Sequence, residues 1–232
     1  MNNALLQVKI KQRLNKLASL DYDNFECWQI QEAFNKAQLE WVRRQVYGMN
    51  ARKEGTEQST GLIDDLRVIL ESAPLEVSNK KLFAESALPD NYLYYVRVDA
   101  MAKSDCCPER RMIIYEAEEA NMGVLLTSDT KGPSFEWGET LSTLVGDKVR
   151  VYTNNKFVVT SVLLTYYRRP RDVQFLGCVN PNNGQIASAN ITCEFKDDIC
   201  EILVDEAAAI LAGDIESMNQ FQREIQNGQR NS

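Results

Sequence analysis

Histidine is absent from all 232 residues. That gap excludes Ser-His-Asp and Cys-His nucleophilic catalysis, histidine general bases and His-ligated zinc. Carboxylate-only or lysine-based chemistry survives it, but no spacing of Asp, Glu or Lys selects residues for either. Cysteine fills no part of the gap. The six cysteines are Cys27, Cys106, Cys107, Cys178, Cys193 and Cys200, and none forms a Cys-x-x-Cys pair. Cys106 and Cys107 are adjacent, a spacing that strains a disulfide. Without a secretory signal all six are expected as free thiols, mostly small buried hydrophobes. No run approaches the roughly 20 apolar residues of a membrane span. The opening residues carry Lys9, Lys11, Arg13 and Lys16 without a continuous apolar core, so no signal peptide is expected. Internal repeats and low-complexity segments are missing too. The expectation is a soluble protein made in a cytoplasm, not an enzyme, with no cofactor, no metal and no membrane contact.

Hydrophobic residues make up 44% of the chain and charged residues 25%, ordinary proportions for a globular protein. The length suffices for one large domain or two small ones. Net charge is −7 and unevenly spread. Residues 1–60 hold 9 Lys/Arg against 7 Asp/Glu, residues 61–192 hold 14 against 17, and residues 193–232 hold 3 against 9. An acidic chain is a poor candidate for tight DNA binding, which needs cations on phosphates. It suits a solvated surface, or a wall past which DNA slides without sticking.

Along the chain the hydrophobic period changes twice. Ala4 to Leu20 reads as a helix with Leu6, Ile10, Leu14 and Leu17 on one stripe. Asp21–Asn24 is a turn, and Cys27 to Tyr47 is a second helix striped by Ile30, Ala33, Phe34, Ala37, Trp41 and Val42. The two predict an antiparallel helical hairpin. Gly48–Thr60 is polar and reads as a mobile loop, and Leu62 to Leu70 as a short helix. Alternation then takes over. Tyr92–Val98, Arg111–Glu116, Lys148–Tyr152 and Phe157–Tyr167 read as strands, with a short helix over Glu118–Leu126. Asn154-Asn155 suits the tight turn of a hairpin between the last two strands. Pro170 ends the second, and Asn180–Gly184 is a further turn.

The last segment is a well-marked amphipathic helix. Ile199, Ile202, Leu203, Ala207, Ile210 and Leu211 share a face, and Asp197 and Asp198 suit the positive end of its dipole. A polar tail follows Gly228. The expected fold is α+β. An N-terminal helical hairpin (residues 1–72) and a C-terminal helix (residues 193–232) form a small bundle, with an antiparallel β-rich domain (residues 73–192) inserted between them.

Several clusters have a plain reading and a functional one. Trp28, Phe34 and Trp41 read as core, or as interface. Arg43 and Arg44, with Arg52 and Lys53 beyond, read as a solvated helix end, or as a contact with an acidic neighbour or DNA phosphate. Tyr166-Tyr-Arg-Arg-Pro-Arg171 mixes aromatics with Arg168, Arg169 and Arg171, like a nucleic-acid platform, but equally like a charged strand end. Glu116, Glu118 and Glu119 read as a solvated acidic face. Asn190-Ile-Thr192 matches a glycosylation acceptor by chance.

Four segments carry a resemblance. They are Tyr22–Arg44 (YDNFECWQIQEAFNKAQLEWVRR), Pro133–Glu139 (PSFEWGE), Tyr166–Arg171 (YYRRPR) and Cys193–Asp198 (CEFKDD). They resemble a structural protein of tailed phages of Bacteroides-type hosts, the crAss-like group, and such proteins look like the head-to-tail connector proteins of short-tailed phages. The resemblance implies a ring of about twelve copies beneath the portal, around the DNA exit channel of the virion. It implies as partners further copies of the chain, the portal protein, neighbouring tail or ring proteins, and double-stranded DNA passing without sequence-specific contacts. Interface residues are then expected at Arg43, Arg44, Arg168, Arg169 and Arg171, and at Met218, Phe221 and Arg223 near the C-terminus. Two other classes remain open: a DNA-packaging or DNA-binding phage factor, and a carboxylate-based tail hydrolase.

Overall fold

A computed structural model describes residues 1–15, 25–47, 64–105, 107–179, 181 and 184–214. Its helices are α1 (Asn3–Asn15), α2 (Cys27–Tyr47), α3 (Met122–Thr127) and α4 (Asp197–Asp214). Its strands are β1 (Leu70–Leu75), β2 (Ser78–Asn79), β3 (Phe83–Ala87), β4 (Tyr92–Ser104), β5 (Cys107–Glu116), β6 (Glu139–Val145), β7 (Lys148–Tyr152) and β8 (Val158–Arg168). The chain divides into two units, residues 1–68 with 170–232, and residues 69–169.

The second unit is one eight-stranded sheet in the order β1-β8-β4-β5-β6-β7-β3-β2. Alternation over the middle of β4 turns Val98, Ala100 and Ala102 to one face, where they meet Val159, Val162, Leu164 and Tyr166 of β8 and Val149 and Val151 of β7. Full burial of a side chain such as Leu164 contributes about 2 kcal/mol. Register shifts along β4 against β8, between Tyr92 and Tyr94, Tyr95 and Arg97, and Met101 and Ala102, bend the long strand as bulges do. The sheet curls into a half-barrel. Its last strand comes back to its second: Asn79 Nδ2 donates to the Val159 carbonyl at 2.9 Å, and Val159 N–H donates to Asn79 Oδ1 at 3.3 Å. The Asn79 amide thus takes the place of a neighbouring strand.

The first unit is built on α4. Its buried face is Ile199, Cys200, Leu203, Val204, Ala207, Ala208 and Leu211, and the alanines allow close approach. Leu6, Ile10 and Leu14 of α1 and Ile30, Phe34 and Val42 of α2 are buried as well. Trp41 meets Phe195 edge-on at 5.1 Å. Lys9 pairs with Glu201, Arg13 with Asp205 at 2.5 Å, and Arg44 with Glu206. The extended segment from Pro170 to Lys196 belongs to the same unit. Asn35 clamps Val173, accepting from its N–H at 2.8 Å and donating to its carbonyl at 3.2 Å. Asn3 Nδ2 donates to the carbonyls of Gln174 and Ile191.

Several expectations are corrected. The chain is a mixed α/β protein dominated by the curled sheet, and the small helical bundle is not formed. α1 and α2 pack chiefly on α4 and hardly on each other. The sheet is not purely antiparallel, because the chain crosses over through α3 and brings β6 in parallel to β5, with Ile113 opposite Glu139. Asn154 (φ 47°) and Asn155 (φ 58°) do adopt the left-handed turn, but β7 and β8 do not pair. β7 lies between β6 and β3, β8 between β1 and β4. Residues 64–66 are helical, but a 3₁₀ turn follows at Arg67–Ile69 and β1 starts at Leu70. The cysteines are not all thiols, since Cys27 and Cys178 form a disulfide. The Asp21–Asn24 turn, the Gly48–Thr60 loop and the polar tail lie outside the described residues.

Burial holds the Glu206 carboxyl above the ordinary carboxylate range, with Arg44 opposing, and Glu206 Oε2 has no hydrogen-bond partner among the described residues. A raised folded-state value means that this group's contribution is fully present below its unfolded value near 4.5 and is lost as pH rises through the folded value. Arg44→Ala removes the opposing cation and raises that value further. Its cost should be about 2 kcal/mol at neutral pH and fade below the ordinary carboxylate range, read by urea unfolding across pH. The disulfide joins residues separated by 151 positions. Replacing Cys27 and Cys178 by serine should cost about 3 kcal/mol, and thiol reductant should reproduce that loss in the parent chain only.

Candidate functional site

The surface feature that folding alone explains least is Trp137, 77% exposed in the connection from α3 to β6. Its mounting is built from local chemistry. Gly132 sits so tightly that a Cβ there would lie 2.7 Å from the Ser128 carbonyl. Ser134 and Glu139 exchange backbone hydrogen bonds at 2.9 and 3.0 Å, and Gly138 N–H donates to the Phe135 carbonyl at 3.1 Å. Gly138 has φ +70°, and the Arg110 guanidinium lies 2.8 Å from where its Cβ would be. Arg110 from β5 donates to the carbonyls of Phe135 and Glu136 and lies over the Phe135 ring. Phe135 packs on Phe157, and Lys156 Nζ donates to the Pro133 carbonyl at 3.0 Å. The indole therefore stands out from a turn held on several sides. The exposed Glu136 carboxylate beside it makes no ion pair among the described residues.

The outer face of the curled sheet carries a recess of about 420 Å³. Inward Val98 and Ala100 put Arg97, Asp99 and Met101 outward. The register sets Asp99 opposite Leu163, and Met101 opposite both Ser161 and Arg111. Asp99 accepts from Arg97 Nε at 3.3 Å and from Arg111 Nη2. One carboxylate between two arginines leaves the recess one positive charge in excess, over a partly apolar floor.

A second hollow, of about 450 Å³, opens at the end of β5, lined by Tyr115, Glu116, Glu118, Asn121, Lys131 and Glu139 among others. Tyr115 donates to Glu139 at 3.4 Å and Asn121 to Glu118 at 3.3 Å. Glu119 is taken up elsewhere, accepting from Thr143 at 2.7 Å and from the Tyr152 hydroxyl at 2.9 Å. Burial pushes the Tyr152 phenol up, and the Glu119 carboxylate adds to this. The acidic run is exposed as expected at Glu116, Glu118 and Glu119, and Glu119 in addition braces β6 and β7. Among the described residues no three His, Cys, Asp or Glu side chains converge on a metal position.

The residues anticipated as interface have varied surroundings. Arg43 is exposed on α2, without an ion pair among the described residues. Arg44 is tied to Glu206 and Arg171 to Glu194 at 3.2 Å. Arg168 pairs with Glu71 at 3.7 Å and donates to the Arg169 carbonyl, and Arg169 is exposed. The aromatic at the head of that motif is no stacking platform: Tyr166 is buried, its hydroxyl donating to Asn91 at 2.8 Å. Met218, Phe221, Arg223, Arg52 and Lys53 lie outside the described residues. Trp41 and Phe34 are core. The Asn190 side chain accepts from Asn3 Nδ2 at 2.5 Å. Cys193 and Cys200 are buried side by side. A hydrogen bond with Cys200, together with burial, holds the Cys193 thiol well above its usual range.

Sequence reasoning did not single out Trp137, Arg97, Arg111 or Asp99. A Trp flanked by Glu136 and Gly138, four residues after Pro133, was a readable turn signal. The recess was not readable, because it exists only once β4, β5 and β8 are in register. Gly138→Ala tests the mounting. A side chain at this positive φ, against Arg110, should cost about 1 kcal/mol and loosen Trp137, read as lower fluorescence anisotropy with the fold retained by circular dichroism. No protein-family model matches the chain, and no curated protein compared with it does either.

Proposed function

We propose that the chain is a structural subunit of a tailed-phage virion, a head-to-tail connector that joins portal to tail and surrounds the channel through which DNA is ejected. The observation that carries this reading is the resemblance of Tyr22–Arg44, Pro133–Glu139, Tyr166–Arg171 and Cys193–Asp198 to connector-type phage proteins. Surface chemistry supports it. With no histidine and no convergent metal-binding set among the described residues, the surface offers a rigidly held tryptophan and a charged recess, which are features of interfaces. Ring subunits meet head to tail and so need two different complementary patches on each copy. A net charge of −7 suits a wall past which DNA moves without sticking. A disulfide suits a particle that leaves the reducing cytoplasm.

The DNA-binding alternative draws on the arginine clusters, and their pairing weighs against it. Arg44, Arg168 and Arg171 already face Glu206, Glu71 and Glu194, so phosphate would have to displace carboxylates. Electron microscopy of virions of the phage that encodes the chain decides between the two. The expected result is a ring of about twelve copies between portal and tail. Absence of the chain from the particle would overturn the reading, and salt-sensitive DNA binding by the purified chain would then favour the packaging factor.

A further inference from the structure

We infer that the Trp137 turn of one copy seats in the Arg97–Arg111 recess of a second copy, and that this contact joins neighbouring subunits head to tail. The inference rests on the connector reading and specifies its joint. Trp137 is 77% exposed, so it does not fill the recess of its own chain. It is also held in place before any partner arrives, by the Arg110 and Lys156 hydrogen bonds to the turn's carbonyls, so docking it costs little further ordering. A large apolar side chain presented to water by a braced turn is the residue type that most often dominates interface energy.

The recess suits the turn in size and in charge. Its volume of about 420 Å³ accommodates one indole ring. Leu163 and Met101 supply an apolar and polarisable floor, and a thioether favours an aromatic edge. Arg97 and Arg111, 63% and 67% exposed, stand where a guanidinium can cover an indole face, the strongest of the cation–π pairings. The single Asp99 does not neutralise both arginines, and Glu136 next to Trp137 is a carboxylate without an ion pair among the described residues. Seating Trp137 brings Glu136 to the rim of a recess that lacks one negative charge. Turn and recess are different patches of the same unit, one on the connection before β6 and one on the outer face of the sheet, so each copy donates one and accepts the other. The contact is heterologous, as a ring requires, when each copy gives its turn to one neighbour and takes the turn of another, rather than two copies exchanging turns reciprocally.

The full chain is examined by sedimentation equilibrium from micromolar to millimolar concentration, with tryptophan emission recorded alongside. The expected result is concentration-dependent association, with a blue shift as the exposed indole is buried. Trp137→Ala should weaken association roughly thirtyfold or more, the size of an interface hot spot, and should abolish the shift. Because Trp137 is exposed in the single chain, its loss leaves the fold intact. Arg111→Glu and Glu136→Arg should each weaken association about tenfold, and combining them in one chain should restore much of it. A chain that stays monomeric throughout overturns the inference, as does a Trp137→Ala variant that associates like the parent, or charge reversals without rescue. Each outcome is separable from the connector reading. A ring seen in virions with none of these effects would keep that reading and discard this joint.

Discussion

The structure of the second unit depends on the curl of its sheet. A flat eight-stranded sheet would expose one whole face of β-branched and aromatic residues. Curling folds that face inward, so Val98, Ala100, Val159, Val162 and Leu164 fill a shared core. Three register shifts along β4 bend the strand, and the Asn79 amide binds both the N–H and the carbonyl of Val159 at the seam. The small side chains of Ala100 and Ala102 suit the concave side of such a bend. Once the curl is fixed, the outward positions of β4, β5 and β8 become a convex face, and Arg97, Asp99, Met101, Arg111 and Leu163 are brought together by register alone. The recess is thus a by-product of the same constraint that builds the core.

Electrostatics are divided along similar lines. The sequence sets a mildly basic N-terminal stretch against a strongly acidic terminal helix, an arrangement that would serve equally within a chain or between chains. Within the first unit it is used internally: Lys9, Arg13 and Arg44 meet Glu201, Asp205 and Glu206. These pairs fix which faces of α1 and α2 meet α4. The cations available to a partner are therefore fewer than the sequence count suggests, and Arg97 and Arg111 of the sheet stand out because their shared carboxylate leaves a surplus.

Local features were legible in the sequence and non-local ones were not. The apolar stripe of α2 and its bounds followed from three-or-four spacing, and the left-handed turn at Asn154–Asn155 from asparagine chemistry. β4 was read only to Val98, because the inward Ala100 and Ala102 are weak strand formers. The helical segment after Glu118, lying between two strands, was a crossover signal, yet nothing local says that β6 returns parallel to β5. Adjacency of β7 and β8 suggested a hairpin, but pairing energy in a curled sheet goes to the neighbours that complete the core, so the turn carries the chain across instead. Cys27 and Cys178 are 151 positions apart, and no spacing rule pairs residues over such a distance.

The Trp137 turn shows how a chain with little reactive chemistry keeps a specific surface. An exposed tryptophan gains nothing from folding, since burial is what makes an indole stabilising. Yet Gly132, Gly138, Arg110, Lys156 and Phe135 all hold this segment. Gly138 avoids a clash with Arg110, and Arg110 would otherwise be an ordinary solvated strand residue. A structure that needed only to connect α3 to β6 would be served by a flexible polar loop of the same length. Rigid display lowers the entropy lost when the indole is finally buried, and that saving is realised only in a complex. Within one copy the rigid display of Trp137 brings no stabilising return, and the proposed seat, with its apolar floor and excess positive charge, would supply one.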